Sequence, residues 1–454
     1  MRLVLFFLVM IAQVYVVAKA NDTTNILSLK ERSELIDKIL AERIDKVLPQ
    51  LMIRSDIDMW LVISREYNED PVIKTLLPAN WMSARRRTIL LMYLPAEEKG
   101  KQNPKVETLA VARYAVGEKF KSAWNKEQQP DQWARLVELI TERKPNKIGV
   151  NFSRVYGLAD GINATDLELL KESLPKGFHS KIASAESLAI GWLETRSESE
   201  LKIYPEIVGI AQSIIKEAFS NNVITPGQTT TEDVVWWMRE KVAELKLETW
   251  FHPTVSIQRK DNQEFDHISA FSKDKAETVI MPGDLLHTDF GITYLRLNTD
   301  TQQHAYVLGK CEKDAPKELK QALAEGNRLQ DILMNNFVVG RTGNQLLKMS
   351  RREALEEGLN PSIYSHPLGF HGHGAGPSIG MWDNQDGVTT GDYPLFDSTA
   401  YSIELNIEKP IERWGKSIRI MLEEDASFKA GKINFLHGRQ EQLHLITSDS
   451  NCEP

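Results

Sequence analysis

Two periods of hydrophobic patterning run through this chain. From Ser28 to Met52 the apolar positions fall at helical spacing, with Ile36, Leu40, Ile44 and Leu48 on one stripe. Ser28 and Glu31 have the spacing of a capping box at its start. Asp58 to Ser64 is then a short apolar run that predicts a buried strand, and 87–94 and 108–112 predict further strands. Helices over 131–143 and 165–174 flank another strand at 147–151. Strands alternating with helices predict an α/β unit of roughly 170 residues. Its end falls near Glu194-Thr195-Arg196-Ser197, because Ser197 and Glu200 form a second capping signal ahead of a long helix reaching Asn221.

Beyond that boundary the order helix, helix, strands occurs twice. Thr225-Pro226-Gly227 breaks the long helix, and Thr230 to Asp233 opens another with Val234, Trp237, Val242 and Leu245 on its apolar side. Strand-like segments run from His252 to Gly309. A helix from Ala315-Pro316 to Asn336, a break at 340–343 and a helix to Glu357 follow, and strand-like segments return from Ile363 to Phe428. The repeated order predicts two related halves facing one another, with a site between them that takes side chains from both.

The stretch Leu285 to Asp300 reads as a hairpin with an acid on each arm, Asp289 and Asp300. Its first arm is apolar enough to be buried, and a charge there costs several kcal/mol unless something pairs with it. Two acids on one face repel, so one keeps a proton or a cation sits between them.

Charge and composition narrow the partners. A net charge of −8, with no basic block interleaved with aromatics, excludes a nucleic-acid partner. The first twenty residues carry one positive charge, an apolar run and Ala18-Lys19-Ala20, the layout of a secretory signal cleaved after Ala20. The expectation is an exported protein, periplasmic or secreted, with no stable membrane insertion. The expected units are a leader at 1–20, an α/β domain at 21–195 and a second domain at 196–454. Cys311 and Cys452 are the two cysteines, enough for one disulfide and no framework.

Chemistry concentrates in the second half. Of the ten histidines, His179 alone precedes residue 250. His366, His371 and His373 lie in one Gly-rich segment, and glycines on both sides of His373 leave its imidazole unobstructed. Ala400 to Ile407 is a strand with Glu404 in its middle, and Ile418 to Asp425 is a strand ending in Glu423, Glu424 and Asp425. Asp289, Asp300, His373, Glu404 and Glu423 together offer four carboxylates and one imidazole, a set that suits two divalent ions. Mn²⁺ is the first expectation, with Co²⁺, Zn²⁺ or Fe²⁺ also compatible.

These residues resemble the pita-bread metallopeptidases, the family of methionine aminopeptidase, aminopeptidase P, prolidase and creatinase. The resemblance rests on Asp289 and Asp300 eleven residues apart, on Gly372-His373-Gly374-Ala375-Gly376, on Ser402-Ile403-Glu404 and on Glu423-Glu424-Asp425. It covers 196–445. The first half resembles the creatinase-type N-terminal domain through its layout and through 155–161, which marks the Xaa-Pro branch. The implied fold is an α/β creatinase-like domain followed by an α+β pita-bread catalytic domain with two pseudo-symmetric halves. The implied activity is hydrolysis beside proline in a peptide substrate by an Xaa-Pro aminopeptidase or dipeptidase, and the family analogy extends to a homodimer. Glu404 would carry the proton, His267 would contact substrate near the scissile bond, and His366 or His371 would orient substrate.

Three departures accompany the resemblance. The family carries a further histidine seven or nine residues after its metal-binding one, and nine residues after His373 stands Trp382. Its last acidic ligand often follows Arg-Ile directly, whereas Arg419-Ile420 precedes Met421; strand parity selects Glu423, and a bulge would select Glu424. His371 also adjoins Gly372 and is the alternative to His373. The competing functions are a same-fold enzyme acting on a small molecule, creatinase-like or lyase-like, and a metal-free binding protein.

Overall fold

The computed structural model describes residues 26–260 and 278–448. The leader-like stretch, His267 and Cys452 lie outside the described residues, and with them the cleavage site, the upstream histidine and the Cys311–Cys452 pairing.

Ser28 caps the first helix as its spacing predicts, its hydroxyl accepting from the Glu31 amide while Glu31 accepts from the Ser28 amide. The helix Leu29–Glu42 continues through a π-helical turn, Arg43–Val47, into Leu48–Arg54. Arg43, at the start of that turn, is buried and donates to Glu200 (2.6 Å) and the Thr195 carbonyl (2.6 Å). A guanidinium removed from water needs these acceptors, and they tie the N-terminal helix to the start of the helix Glu198–Ala218.

The first sheet contains β1 (Met59–Arg65), β2 (Arg87–Tyr93), β3 (Glu107–Ala110), β4 (Lys121–Ser122), β5 (Ile148–Val150) and β6 (Ile182–Ser184), in the order β4-β3-β2-β1-β5-β6. β1 is apolar without alternation because both of its faces are covered. Met59, Leu61 and Ile63 meet Leu136, Ile140 and Leu170 on one side, while Trp60 and Val62 meet Leu48, Met52 and Leu188 on the other.

The second sheet holds the acids. Its strands are β7 (Thr254–Gln258), β8 (Leu285–Phe290), β11 (Thr301–Val307), β12 (Pro361–Ile363), β13 (His366–Pro367), β14 (Thr399–Ile411), β15 (Lys416–Lys429), β16 (Lys432–Phe435) and β17 (His444–Ile446). The small hairpin of β9 (Thr293–Tyr294) and β10 (Leu297–Asn298) interrupts the run between β8 and β11. The central order is β12-β14-β15-β11-β8-β7, with β13 also paired on β14. The helices Glu198–Ala218 and Thr231–Glu244 pack on Leu286, Phe290 and Ala305. The helices Lys317–Asn335 and Gly343–Glu356 pack on Ile403, Leu405 and Leu422. Each helix pair thus covers its own half of the sheet, the twofold arrangement the repeated order predicts. The halves join where β11 meets β15, at the register pair Gln302–Glu423. Among the described residues no helix is long and apolar enough to cross a membrane.

Candidate metal centre

Side chains alternate across a strand, so the residues between those that touch the helices point to the opposite face. Leu286 and Phe290 are turned to the helices, which turns Asp289 away; Leu422 and Ile403 do the same for Glu423 and Glu404. Register then aligns them. Asp289 is opposite Gln302, Gln302 opposite Glu423, and Glu423 opposite Glu404. One row of four side chains therefore crosses the strands β8, β11, β15 and β14. The β14–β15 register runs unbroken from Thr399–Phe428 to Ile411–Lys416. With no bulge, Glu424 falls on the far face, where it accepts from Gln303, Gln212 and the Gln440 amide; strand parity, not the bulge alternative, places Glu423 in the row.

The hairpin brings in the fourth acid. Leu295 and Arg296 both have positive φ, 54° and 66°, closing a two-residue turn between β9 and β10. The strain is held in place by the Arg296 guanidinium, which donates to the Leu77 carbonyl at 2.8 Å. Asp300 precedes Gln302 by two residues and so shares its face. Its amide donates to the Asp425 carboxylate at 3.2 and 3.3 Å, which fixes the end of the hairpin.

The imidazole surrounded by acids is His366. Its Nε2 lies 3.5 Å from Glu423 Oε1, 3.6 Å from Asp300 Oδ2 and 3.8 Å from Glu404 Oε2. Its Nδ1 faces the Pro367 carbonyl at 3.1 Å. A carbonyl only accepts, so Nδ1 donates to it, and Nε2 is the nitrogen turned toward the acids. The sequence expectation assigned this place to His373 and left His366 to orient substrate. The difference is one of register: β13 pairs His366 with Ser402, beside Glu404, whereas His373 sits in the loop beyond. His373 still belongs to the cluster, its ring 4.9 Å from that of His366 and exposed at the rim. His371 falls outside every donor group of the cluster and lies in the field of Arg196. Trp382 is 47% exposed.

Among the described residues, three sets of donor atoms each lie within 4.8 Å of one another: Asp289, Asp300 and Glu423; His366, Glu404 and Glu423; and Asp300, His366 and His373. Asp289 Oδ1, Asp300 Oδ1 and His366 Nε2 are buried with no hydrogen-bond partner. Burial, and next the Glu423 carboxylate, push the Asp289, Asp300 and Glu404 carboxyls well above the usual range. Orphaned acceptors and mutually raised acids are what a cation between them relieves. Oxygen donors with one imidazole fit a divalent ion of the hard to borderline kind.

Several residues of the centre are invisible to motif reading. Gln302, His287, Ser402 and Tyr364 belong to it, and the one available signal is strand parity, which Gln302 shares with Asp300 and Ser402 with Glu404. Trp250 has no signal at all. Its Nε1 donates to the Thr299 carbonyl at 2.9 Å, and its ring stands edge-on to His373 at 5.1 Å. It seats on Gly372, where a Cβ would meet the indole at 2.3 Å. Gly372→Ala therefore displaces Trp250 and, with it, His373. The expected cost is about 1–3 kcal/mol of stability, with metal content unchanged and turnover reduced, read by thermal melting, elemental analysis and peptide assay.

No protein-family model matches the chain, and no curated protein matches it in sequence. Solved structures do match its fold. An X-Pro aminopeptidase from Thermotoga maritima MSB8 superposes with a TM-score of 0.60 and 18% identity, over 86% of this chain and 99% of that one. An Xaa-Pro dipeptidase from Bacillus anthracis gives 0.55 and 17%, over 92% and 100%. A prolidase from Pyrococcus furiosus gives 0.54 and 14%, over 86% and 99%. At these identities the likeness establishes a shared fold, the pita-bread architecture.

Proposed function

We propose that this chain, built on the pita-bread fold, is a metal-dependent hydrolase that cleaves peptide bonds beside proline, an Xaa-Pro aminopeptidase or dipeptidase exported behind the leader Met1–Ala20. The observation that carries the proposal is the pair of three-donor sets sharing Glu423, with three orphaned atoms aimed between them. Asp289, Asp300 and Glu423 would hold one ion, and His366, Glu404 and Glu423 the other, with Mn²⁺ the first candidate. Such a pair, when bound, supplies Lewis acidity toward a peptide carbonyl and a water nucleophile.

The protein's own groups do the rest. Glu404 is less enclosed than Glu423, with 18% of its side chain exposed against 2%. As the more exposed of the two, it takes the proton of the attacking water and returns it to the leaving nitrogen. His373, at the rim, donates a hydrogen bond to the substrate carbonyl oxygen as charge develops there. His373 stands seven residues after His366, so with His366 as the buried imidazole the family's second histidine is present and no substitution by Trp382 is needed. Trp250 and Tyr364 flank His373, their ring centroids 5.1 and 6.1 Å from its own.

The test is elemental analysis of the purified protein beside assays on Xaa-Pro dipeptides, Xaa-Pro-Xaa tripeptides and the same peptides with alanine for proline. Hydrolysis confined to the proline peptides, lost on chelation and restored by Mn²⁺, is the expected result. Metal-replete protein that cleaves none of them overturns the peptidase reading and leaves a small-molecule enzyme of the same fold.

A further inference from the structure

We infer that Gln302, held by His287, is a positioning residue that clamps Glu404 to Glu423 and presets the geometry of the cation pair. This rests on the reading of the acidic row as a cation centre and goes beyond it. The Gln302 carboxamide stands in the middle of the row with its Nε2 2.8 Å from Glu404 Oε1 and 2.7 Å from Glu423 Oε2. Both neighbours are acceptors when ionised, so the amide is oriented with its NH₂ group toward them. Its oxygen then faces His287 Nε2 at 2.9 Å, which must donate. That assigns the His287 proton to Nε2 and leaves Nδ1 to accept, and the Ser256 hydroxyl lies 3.5 Å from it. The chain Ser256–His287–Gln302 thus has one consistent direction of donation, ending on two acids.

The geometry separates clamping from filling. Gln302 is 6% exposed and His287 6%, so little water competes for these bonds. Glu423 is gripped from both sides, since Ser402 Oγ donates to its Oε1 at 2.6 Å while Gln302 holds Oε2. Glu404 has Gln302 as its donor among the described residues. Asp289 Oδ1 and Asp300 Oδ1, by contrast, have no hydrogen-bond partner. The neutral donors therefore organise the glutamate side of the centre, where His366 also points, and leave the aspartate side to be organised by the ion itself. Two carboxylates fixed in advance lose less freedom when a cation arrives.

Titration of the metal-stripped full chain with Co²⁺ tests this, followed by the visible d–d absorption and by bound Co²⁺ after desalting. Gln302→Leu is expected to weaken Co²⁺ binding about 10- to 100-fold and to alter the absorption bands. His287→Leu shifts both readouts the same way. His287→Gln, whose amide can replace the Nε2–H donor, stays at the wild-type affinity and spectrum. Gln302→Leu and His287→Leu proteins that bind Co²⁺ with wild-type affinity and spectrum overturn the clamp while leaving the cation centre intact. Wild-type protein that binds no Co²⁺ overturns the cation centre and the clamp together. If Gln302→Leu fails to fold, as judged by melting of the metal-free form, His287→Leu decides by the same two readouts.

Discussion

Glu423→Gln is expected to abolish cation binding by both proposed donor sets at once and, in the metal-free protein, to raise the melting temperature. Glu423 is the member common to two donor sets. It is also the neighbour that, after burial itself, pushes the Asp289, Asp300 and Glu404 carboxyls up. Removing its charge relieves that repulsion where no ion is present and removes the shared bridge where ions would bind. Bound metal should fall from about two ions per chain to less than about one. Peptide hydrolysis should fall by at least about 10³-fold, a loss of ~4 kcal/mol of transition-state stabilisation. Melting with and without chelator separates the two effects. The wild type should lose stability on chelation, by ~2.7 kcal/mol if metal was at a hundredfold excess over its dissociation constant, whereas the variant should not respond. Asp289→Asn is the contrast, because it leaves His366, Glu404 and Glu423 as a complete set and should retain one ion. A Glu423→Gln protein with full metal content would place the centre elsewhere.

His366→Ala and His373→Ala are expected to fail in different ways. His366 Nε2 lies within 3.8 Å of three acids with its proton held on the other nitrogen, so its loss removes a ligand. Metal content should drop and the d–d spectrum of the Co²⁺ form should change. His373 is exposed at the rim and seated beside Trp250. Its loss should leave the metal complement intact and lower kcat by about 10²-fold, within the range expected for one hydrogen-bond donor to developing charge. Elemental analysis beside steady-state kinetics distinguishes them. The reverse pattern, metal lost with His373 and kept with His366, would restore the assignment that the glycine-flanked motif suggests.

Local signals along the chain specify the elements and most of the chemistry. Capping pairs at Ser28–Glu31 and Ser197–Glu200 are local signals, and helices begin where they predict, the long one ending at Ala218 rather than Asn221. The sequence put an acid on each of three strands, Asp289, Glu404 and Glu423, and the structure places all of them in one row. Parity also separated Glu423 from Glu424, because a strand without a bulge keeps its alternation over any length. Which histidine stands among the acids, and what holds them, follows from the fold alone. That choice depends on β13 pairing His366 with Ser402, a contact between segments far apart in the chain, whereas the flanking glycines pointed to His373. Gln302 reaches Glu404 and Glu423 only because β11 and β15 meet at a single residue pair joining the two halves. Trp250 reaches His373 only because glycine at 372 admits its ring. Local propensity and alternation are properties of neighbours along the chain, whereas register between distant strands is set by the packing of both helix pairs on one sheet, and the centre is assembled at that seam.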